Sequence, residues 1–358
     1  MTPAYDIAIV GAGISGASLA AELAPHARIV LLESEAVAGY HATGRSAAFW
    51  SETYGGPGVQ PLTTASGPAL RDGGFLQPLG SAHIGRADDG AAIDSFLRAF
   101  EGSGVALMPI DPSTIIPGLR PAWTLGVMER TCAYIDVAAL HADRLAVARR
   151  AGAVVMTDAG VALASHAEGR WRIDTPAGAV AATLLVNAAG AWADTVAERA
   201  GVRSLGIRSY RRTIAQLRTD PGAPADLPHV ADIAGRFYFK PEPGGRLWLS
   251  PHDETPTDPC DAAADELDVA IAIDRFEGVV DWRVAAVERK WAGLRSFAPD
   301  RLPVYGFDPA QPAFFWCAGQ GGFGIQTAPA AARLCAALIL GRTTPDGLDP
   351  DRYNPNRF

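Results

Sequence analysis

Three glycines, separated by one and by two residues, stand near the start of the chain at Gly11, Gly13 and Gly16, in the stretch DIAIVGAGISGASLAAELA. In such a spacing the first glycine permits a tight turn, the second lets a phosphate approach the backbone, and the third lets a helix pack on a strand. Glu33 follows 22 residues after Gly11, where a carboxylate would accept hydrogen bonds from a ribose. The pattern predicts a dinucleotide site, and a purely structural turn is the alternative.

The elements around these glycines are the ones that such a site needs. Residues 5–10 form a short apolar run typical of a buried parallel strand, and residues 14–24 are small and helix-forming. The stretch ARIVLLES then indicates a second buried strand. Strand, glycine turn, helix and strand within about 30 residues form a βαβ unit. The helix N-terminus would offer unpaired N–H groups and partial positive charge to a pyrophosphate.

The rest of the chain predicts two kinds of structure. Glycine- and proline-rich irregular segments are expected up to about residue 130, followed by a helix at VAALHADRLAVARRAG, strands at AVVMT and VALAS, and a hairpin at RWRIDTPAGAVAATLLVNAAG. Residues 203–290 mix strands (RRTIAQLR, GRFYFKP, GRLWLS) with a helix at ADELDVAIAIDRFEGVV. The predicted strand AFFWCAG and helix TAPAAARLCAALIL repeat the α/β pattern of the start of the chain.

We therefore predict an α/β (α+β) protein in which a Rossmann-like dinucleotide-binding domain carries an inserted mixed-sheet substrate-binding domain. The first domain is expected to comprise residues 1–48, 132–202 and 296–358, and the second residues 49–131 and 203–295.

Composition narrows the class of protein. A net charge of −8 and a pI near 5.4, with no basic stripe, argue against a nucleic-acid partner. The four cysteines are far apart and form no C-x-x-C pair, which suits reduced thiols in a cytoplasm better than disulfides or zinc. Neither a secretory signal nor an apolar run of membrane-spanning length is evident, so a cytoplasmic protein is expected. H-E-x-x-H, G-x-S-x-G and G-K-[ST] motifs are absent, which disfavours metal, serine-hydrolase and P-loop chemistry.

Four blocks in order along the chain identify a family resemblance. They are GYHATGRSAAF at 39–49, LLVNAAGAWADTVA at 184–197, WAGLRSFAPD at 291–300 and CAGQGGFGIQTAPA at 317–330. Together they resemble the D-amino acid oxidase and dehydrogenase superfamily of FAD enzymes, which includes glycine oxidase and sarcosine oxidase. The D-arginine dehydrogenase type is the most similar. The resemblance spans the chain and implies that the first domain is an FAD-binding domain.

The resemblance also implies which residues hold FAD. The residues implied to contact the adenosine and pyrophosphate half of FAD are Gly11, Gly13, Ile14, Ser15, Gly16, Glu33, Ser34 and Val161. Those implied to lie along the pyrophosphate and ring are Ala42, Thr43, Gly44, Arg45, Ser46, Ala47, Ala48, Ala189 and Gly190. Those implied to contact the isoalloxazine are Gln320, Gly321, Gly322, Phe323, Gly324 and Ile325.

The second glycine-rich turn, GQGGFGIQTA, has a physical reason to belong to a flavin site. Reduced flavin carries negative charge near N1 and the C2 carbonyl, and a helix N-terminus aimed there would stabilise it. An ordinary strand-to-helix loop is the alternative. His41 lies near the position where some sarcosine-type dehydrogenases tether the flavin, but the similarity is greater to members with non-covalent FAD. Cys317 is expected in the core.

The resemblance further implies a carboxylate receptor for an amino acid substrate. Arg212 and Arg295 fall where the family places arginines, whose planar fork binds a carboxylate bidentately. Tyr54 and Tyr238 match tyrosines that close the pocket, and Gly322 would offer its carbonyl oxygen to the substrate amine. Solvated arginines and ordinary aromatic packing are the alternatives. No side chain stands out as a general base, so the amine is expected to react in its neutral form.

The sequence departs from the arginine-type enzymes at two positions. Ser81 stands where an acid is expected, and Phe49 where a histidine occurs. Both changes make the pocket less polar or less negative, so D-arginine should not be preferred over neutral or apolar D-amino acids. Trp248 appears at the position of the lysine that helps sarcosine-type oxidases react with oxygen. This favours a dehydrogenase that passes electrons to a quinone. Oxygen is the alternative electron acceptor.

The predicted function is FAD-dependent oxidation of a D-amino acid to the imino acid, which hydrolyses to a 2-oxo acid and ammonia. Glycine, an N-methyl amino acid or a D-2-hydroxy acid could be oxidised on the same scaffold, although a hydroxy acid usually requires a histidine base. A flavin-binding protein without turnover is disfavoured by the arginine pair. An NAD-linked dehydrogenase is disfavoured by the GRSAAF and GQGGFGIQT blocks.

Overall fold

The computed structural model describes residues 2–358, and its first βαβ unit follows the glycine pattern. Strand β1 (Ala4–Val10) leads through the glycine turn into helix α1 (Ile14–Leu23), and β2 (Ile29–Leu32) pairs parallel with β1. All four residues of β2 and the last four of β1 are buried, because helices or loops cover both faces of the strands. The predicted unit is present.

The first sheet holds most of the parallel strands. Its order is β10-β11-β12-β1-β2-β9, with β20 alongside β12 and β19 paired to β20. Besides β1 and β2, its strands are β9 (Val154–Met156), β10 (Leu163–Ala167), β11 (Arg170–Asp174), β12 (Val180–Asn187), β19 (Val304–Phe307) and β20 (Phe314–Ala318).

The second sheet is antiparallel except where β14 pairs with β5. Its order is β21-β18-β13-β16-β15-β14-β5-β7-β6, with β17 beside β13. These strands are β5 (Ser81–Arg86), β6 (Leu107–Ile110), β7 (Trp123–Glu129), β13 (Arg208–Asp220), β14 (His229–Asp232), β15 (Tyr238–Glu242), β16 (Arg246–Ser250), β17 (Thr255–Pro256), β18 (Arg283–Phe297) and β21 (Gln320–Gly321). A small sheet adds β3 (Phe49–Trp50), β4 (Leu76–Pro78) and β8 (Ala133–Ile135).

Seven α-helices complete the fold in the described part of the chain. After α1 they are α2 (Gln60–Asp72), α3 (Gly90–Ala99), α4 (Val137–Arg150), α5 (Ala193–Arg199), α6 (Glu266–Glu277) and α7 (Gly324–Ile339). Single 3₁₀ turns occur at Ala87–Asp89, Pro112–Thr114, Gly190–Trp192, Pro350–Tyr353 and Pro355–Arg357. Within residues 2–358, every helix is too short or too polar to cross a membrane.

The expectation of irregular structure up to residue 130 is wrong. Helices α2 and α3 and strands β5 and β7 lie there. Pro61, Gly67 and Pro68 obscure the helical spacing of α2, yet Leu62 and Leu70 on its inner side are fully buried. Tertiary burial therefore decides the structure where local propensity opposes it.

The register of the second sheet brings distant residues to one face. Strand β13 runs antiparallel to β18, and Tyr210 lies opposite Arg295 while Arg212 lies opposite Gly293. Directly opposite residues share a face, as do residues two apart on one strand. Arg212 and Arg295 therefore project from the same face of the sheet. The two irregularities in this pairing lie further along, beyond Gln216.

Candidate active site

One cavity of about 430 Å³ runs between the ends of the parallel strands and the face of the second sheet. Val10, Leu32 and Ala188 line it where β1, β2 and β12 end. The crevice beyond the carboxyl ends of parallel strands is where open α/β sheets bind ligands. Both glycine turns and both arginines reach this one cavity.

The first glycine turn exposes its backbone because side chains would not fit. Gly11 has a φ of +97°, and a Cβ there would lie 2.5 Å from the carbonyl oxygen of Ala188. A Cβ on Gly16 would lie 1.9 Å from the carbonyl oxygen of Gly11, so Gly16 lets α1 pack on the turn without lining the cavity itself. Gly13 and Ser15 line the cavity at the start of the helix.

Glu33 orders this turn as well as facing the cavity. It is buried, and its Oε2 accepts a hydrogen bond from the Ala12 N–H at 3.0 Å. Its Oε1 accepts from the Ser34 hydroxyl at 3.2 Å and the Glu35 N–H at 3.1 Å. A carboxylate oxygen can accept more than one hydrogen bond, so Glu33 can still take a ribose hydroxyl.

Residues 39–48 form the next wall, and most of them line the cavity. Thr43 Oγ1 accepts the Ile14 N–H at 3.0 Å, which caps the start of α1. Gly44 does not line the cavity, and a Cβ there would lie 2.8 Å from the Gly39 carbonyl oxygen. His41 faces the cavity with its Nε2 2.8 Å from Glu35 Oε1.

A segment of residues 257–264, which we call the strap, crosses from the second sheet to this wall. Arg45 pairs with Asp261 and donates to the Ala262 carbonyl oxygen at 2.8 Å. The Tyr40 hydroxyl lies 3.2 Å from Asp261 Oδ2. Cys260 and Ala262 consequently line the cavity. The sequence analysis missed the strap, because more than 200 residues separate its contact partners.

The second glycine turn lies against Arg295. It links β20 to α7, which begins at Gly324, three residues before the predicted start of that helix. A Cβ on Gly322 would lie 1.9 Å from Nη2 and 2.3 Å from Nε of Arg295, so this glycine makes room for the guanidinium group. Phe323 does not line the cavity and packs against Phe297 instead.

Arg212 and Arg295 are both buried and both line the cavity. Arg212 Nε donates to the Asp253 carbonyl oxygen at 2.8 Å, while its Nη1 is buried and has no hydrogen-bond partner among the described residues. Arg295 donates to the Tyr54 hydroxyl and, from Nη1, to Glu254 at 3.1 Å. Burial lowers the pKa of Arg212, and burial together with nearby Arg301 lowers the pKa of Arg295 to about 9. In both groups, loss of solvation is the main cost of keeping the guanidinium charged.

Aromatic rings form the wall of the cavity beside the two arginines. Phe49, Tyr54, Tyr238 and Ile214 line the cavity, and the Phe49 ring lies 5.0 Å from that of Tyr54 and 6.1 Å from that of Tyr238. Burial raises the pKa of Tyr238 while the Arg212 charge opposes the rise, so the phenol stays protonated. Ile214 was not singled out from the sequence, although its place on β13 two residues after Arg212 could have indicated it.

Ser81 lies behind this wall and does not line the cavity. Its hydroxyl is 2.9 Å from Nδ1 of His229, whose ring packs 4.3 Å from that of Phe49. His229 is fully buried, and desolvation holds its pKa well below the usual value, so the ring is neutral. The sequence carried no signal for His229, because it stands alone at the start of β14.

Trp248 lies next to a buried lysine that the sequence analysis did not connect with it. Lys240 is directly opposite Trp248 in the register of β15 and β16, and its Nζ lies 4.1 Å from the Trp248 ring centroid. Its side chain is 2% exposed and pairs with Glu242. Desolvation lowers the pKa of Lys240. Neither Lys240 nor Lys290 lines the cavity.

The remaining predicted cofactor residues lie along the same cavity. They are Ile14, Ser34, Ala42, Arg45, Ser46, Ala47, Ala48, Val161, Ala189, Gly190, Gln320, Gly321 and Ile325. Groups of three or more side chains able to hold a metal ion are absent from residues 2–358.

Comparison with known families places this cavity in context. The model of the DAO family, described as FAD dependent oxidoreductase, matches residues 6–338. The chain belongs to this family. Dimethylglycine dehydrogenase from Homo sapiens mitochondria is 27% identical over 97% of the chain, which spans 44% of that relative. The chain thus covers about half the length of several curated relatives. Glycine oxidase from Geobacillus kaustophilus is 27% identical and matches over 98% of the chain and 97% of its own length.

Two solved structures share the fold. The crystal structure of that glycine oxidase superposes with a TM-score of 0.86 over the whole of both chains, at 24% identity. L-Proline dehydrogenase from P. horikoshii gives a TM-score of 0.87 at 20% identity, covering 100% of this chain and 98% of the other. The predicted fold class, an α/β protein with a Rossmann-like FAD-binding fold, is confirmed.

FAD is the cofactor of this DAO family member, and the residues present fit it. The Cβ positions of Gly11 and Gly322 are closed by neighbouring atoms, which keeps the backbone bare at these two points of the cavity. The helices α1 and α7 begin at the two glycine turns, so their unpaired N–H groups can face a pyrophosphate and a flavin ring. Glu33 keeps acceptor capacity for a ribose.

Proposed function

We propose that the protein oxidises a D-amino acid with a neutral or apolar side chain to the imino acid, using non-covalent FAD. The observation that supports this most strongly is the buried Nη1 of Arg212 beside Arg295, for which residues 2–358 offer no hydrogen-bond partner. A buried cationic donor without a partner is costly, and a substrate carboxylate would satisfy it. FAD, when bound, supplies the electron acceptor for the hydride from the substrate Cα.

The side chains of this protein would bind and orient the substrate. Arg212 and Arg295 would hold its carboxylate, with the hydroxyl groups of Tyr54 and Tyr238 completing the contact. The Gly322 carbonyl oxygen would accept a hydrogen bond from the amine. His229 does not line the cavity, and His41, which does, pairs with Glu35 in the wall of residues 39–48, so neither histidine is assigned as a base and the amine would react in its neutral form. Hydrolysis of the imino acid by water then gives the 2-oxo acid and ammonia.

The aromatic wall would select the substrate side chain. Phe49, Ile214 and Tyr238 present apolar surface, and Ser81 is screened behind Phe49. A guanidinium side chain would find no carboxylate there to compensate its charge. D-Arginine should therefore be turned over less well than D-alanine, D-leucine or D-phenylalanine. The acceptor would be a quinone, with oxygen as the alternative.

Glycine or an N-methylglycine is a second candidate substrate. Its support is the similarity to glycine oxidase over nearly the full length of both chains, together with that to dimethylglycine dehydrogenase. The same arginine pair would hold the carboxylate of either substrate class. Neither substrate has a side chain to contact, so Phe49 would then limit the size of the substrate.

Anaerobic absorption spectroscopy of the FAD-loaded protein would test both candidates. D- and L-alanine, leucine, phenylalanine and arginine, glycine and sarcosine would be added singly. Bleaching by a neutral D-amino acid is expected, and readmitting air would show whether oxygen is the acceptor. Bleaching by glycine or sarcosine alone would favour the second candidate. Protein that no compound bleaches, or that D-arginine bleaches best, would contradict the proposal.

A further inference from the structure

Glu254 lies against both arginines, on the side away from the cavity. Its Oε1 accepts hydrogen bonds from Arg295 Nη1 at 3.1 Å and from Arg212 Nη2 at 3.5 Å. Both arginines line the cavity, whereas Glu254 does not. One carboxylate oxygen therefore joins a side chain of β13 to a side chain of β18, behind the donors that remain free for a ligand.

Arg301 holds Glu254 from the solvent side. Its Nη2 donates to Oε1 at 2.9 Å and to Oε2 at 2.8 Å. The Arg301 guanidinium carbon also lies 3.9 Å from the ring centroid of Phe297. The Glu254 side chain is 34% exposed and that of Arg301 is 50% exposed. The ion pairs therefore extend from the cavity wall to the surface.

The backbone on both sides of this contact is strained. His252, two residues before Glu254, has a φ of +58°, and Arg301 has a φ of +66°. The left-handed conformation is unfavourable for a residue with a Cβ, so such residues persist only where surrounding contacts hold them. The two segments that carry the ion pair are thus both held in unusual conformations.

Charges around Glu254 nearly balance. Arg212, Arg295 and Arg301 face Glu254 and Asp253, which leaves one net positive charge. Neighbouring Arg211 pairs with Asp268 at 2.7 Å and with the exposed Asp265 at 3.5 Å, outside this group of five charges. His252 and Tyr238 also pack near this cluster, and both are neutral at pH 7, because burial lowers the pKa of His252 to about 4 and raises that of Tyr238. A single substrate carboxylate would complete the balance.

We propose that Glu254 is a positioning residue that fixes the two guanidinium groups and sets the positive charge of the receptor to suit one carboxylate. This inference rests on the proposed function. Removing the Glu254 charge would make the cavity more positive. Carboxylates would then bind more tightly, and a bound amine would lose its proton at lower pH. Removing the Arg301 charge would have the opposite effects.

Binding of benzoate to the FAD-loaded protein would test this, because benzoate pairs a carboxylate with an apolar body that suits the aromatic wall. We would follow the flavin spectrum in the wild type, Glu254→Gln and Arg301→Gln. Glu254→Gln should lower the dissociation constant about 3- to 10-fold and Arg301→Gln should raise it by a similar factor, as expected for one charge partly screened by solvent. With an amino acid that bleaches the flavin, the acidic limb of kcat, which reports groups in the enzyme–substrate complex, should move to lower pH in Glu254→Gln by about half a unit.

Glu288→Gln, which removes a carboxylate from the exposed pair with Arg246, is the matched control and should change neither measurement. Unchanged or weaker benzoate binding by Glu254→Gln, with normal binding by the wild type, overturns the inference and leaves the carboxylate receptor intact. Wild-type protein that does not bind benzoate overturns both the receptor and this inference. Glu254→Ala should also lower kcat, which Glu254→Gln should largely restore.

Discussion

Gly322 is the residue at which the flavin turn and the arginine pair meet. Because a Cβ there would overlap the Arg295 guanidinium, Gly322→Ala should displace that group and lower kcat/KM at least about 100-fold, the effect expected for losing a charge-assisted, bidentate contact. Steady-state kinetics and FAD titration would measure the two consequences separately. Gly90→Ala, at a position with no neighbour within 4 Å of a Cβ, is the control. Normal turnover by Gly322→Ala would refute the assigned role.

His252 gives a pH-dependent contribution to stability. Burial lowers its pKa from 6.5 to about 4, so between those values the unfolded chain binds a proton that the folded protein does not. The free energy of unfolding should therefore fall as the pH decreases from 7 to 5, by about 2 kcal/mol from this residue.

Urea unfolding at pH 7 and pH 5 would measure this contribution. His252→Asn keeps a residue that tolerates the left-handed conformation, and it should reduce the pH-dependent loss by about 2 kcal/mol. His166→Gln, at an exposed histidine, should leave the loss as it is in the wild type. Equal losses in the wild type and His252→Asn would show that His252 titrates normally.

At the scale of elements, the strap is the contact that closes the cavity over residues 39–48. Asp261→Asn would remove the partner of Arg45 and weaken the contact with Tyr40. We expect the dissociation constant of FAD to rise about 5-fold, a modest effect because the carboxylate of the ion pair is largely exposed to solvent. Quenching of flavin fluorescence would measure it. Asp174→Asn, which breaks the exposed pair with Arg172, is the control, and equal FAD affinity in both variants would contradict a role for the strap.

Elements whose signal is local could be predicted from the sequence. The first βαβ unit, α4 and α6 lie close to their expected places because glycine spacing and apolar period are set within a few residues. Contacts between distant residues could not be predicted. Glu254, His229 and the strap reach the site only through the register of long strands and their loops, and Ser81 is screened by Phe49 for the same reason.

For the whole molecule, the cavity between the two sheets couples cofactor binding to folding. FAD binds only the folded protein, so at 100 times its dissociation constant it should add about 2.7 kcal/mol to the free energy of unfolding. The melting temperature should rise by several degrees. Thermal unfolding of the flavin-free protein with FAD, and with NAD as the control dinucleotide, would measure the shift. A larger rise with NAD would contradict the assignment of FAD.

The overlap at Gly322 has a thermodynamic consequence for the two ligands. The turn that is to hold the flavin ring is in contact with the guanidinium that is to hold the carboxylate, so ordering one orders the other. A coupling free energy between two binding sites is reciprocal. By whatever factor FAD improves the affinity for a carboxylate, the carboxylate must improve the affinity for FAD. Bound substrate would then help to retain FAD in the protein.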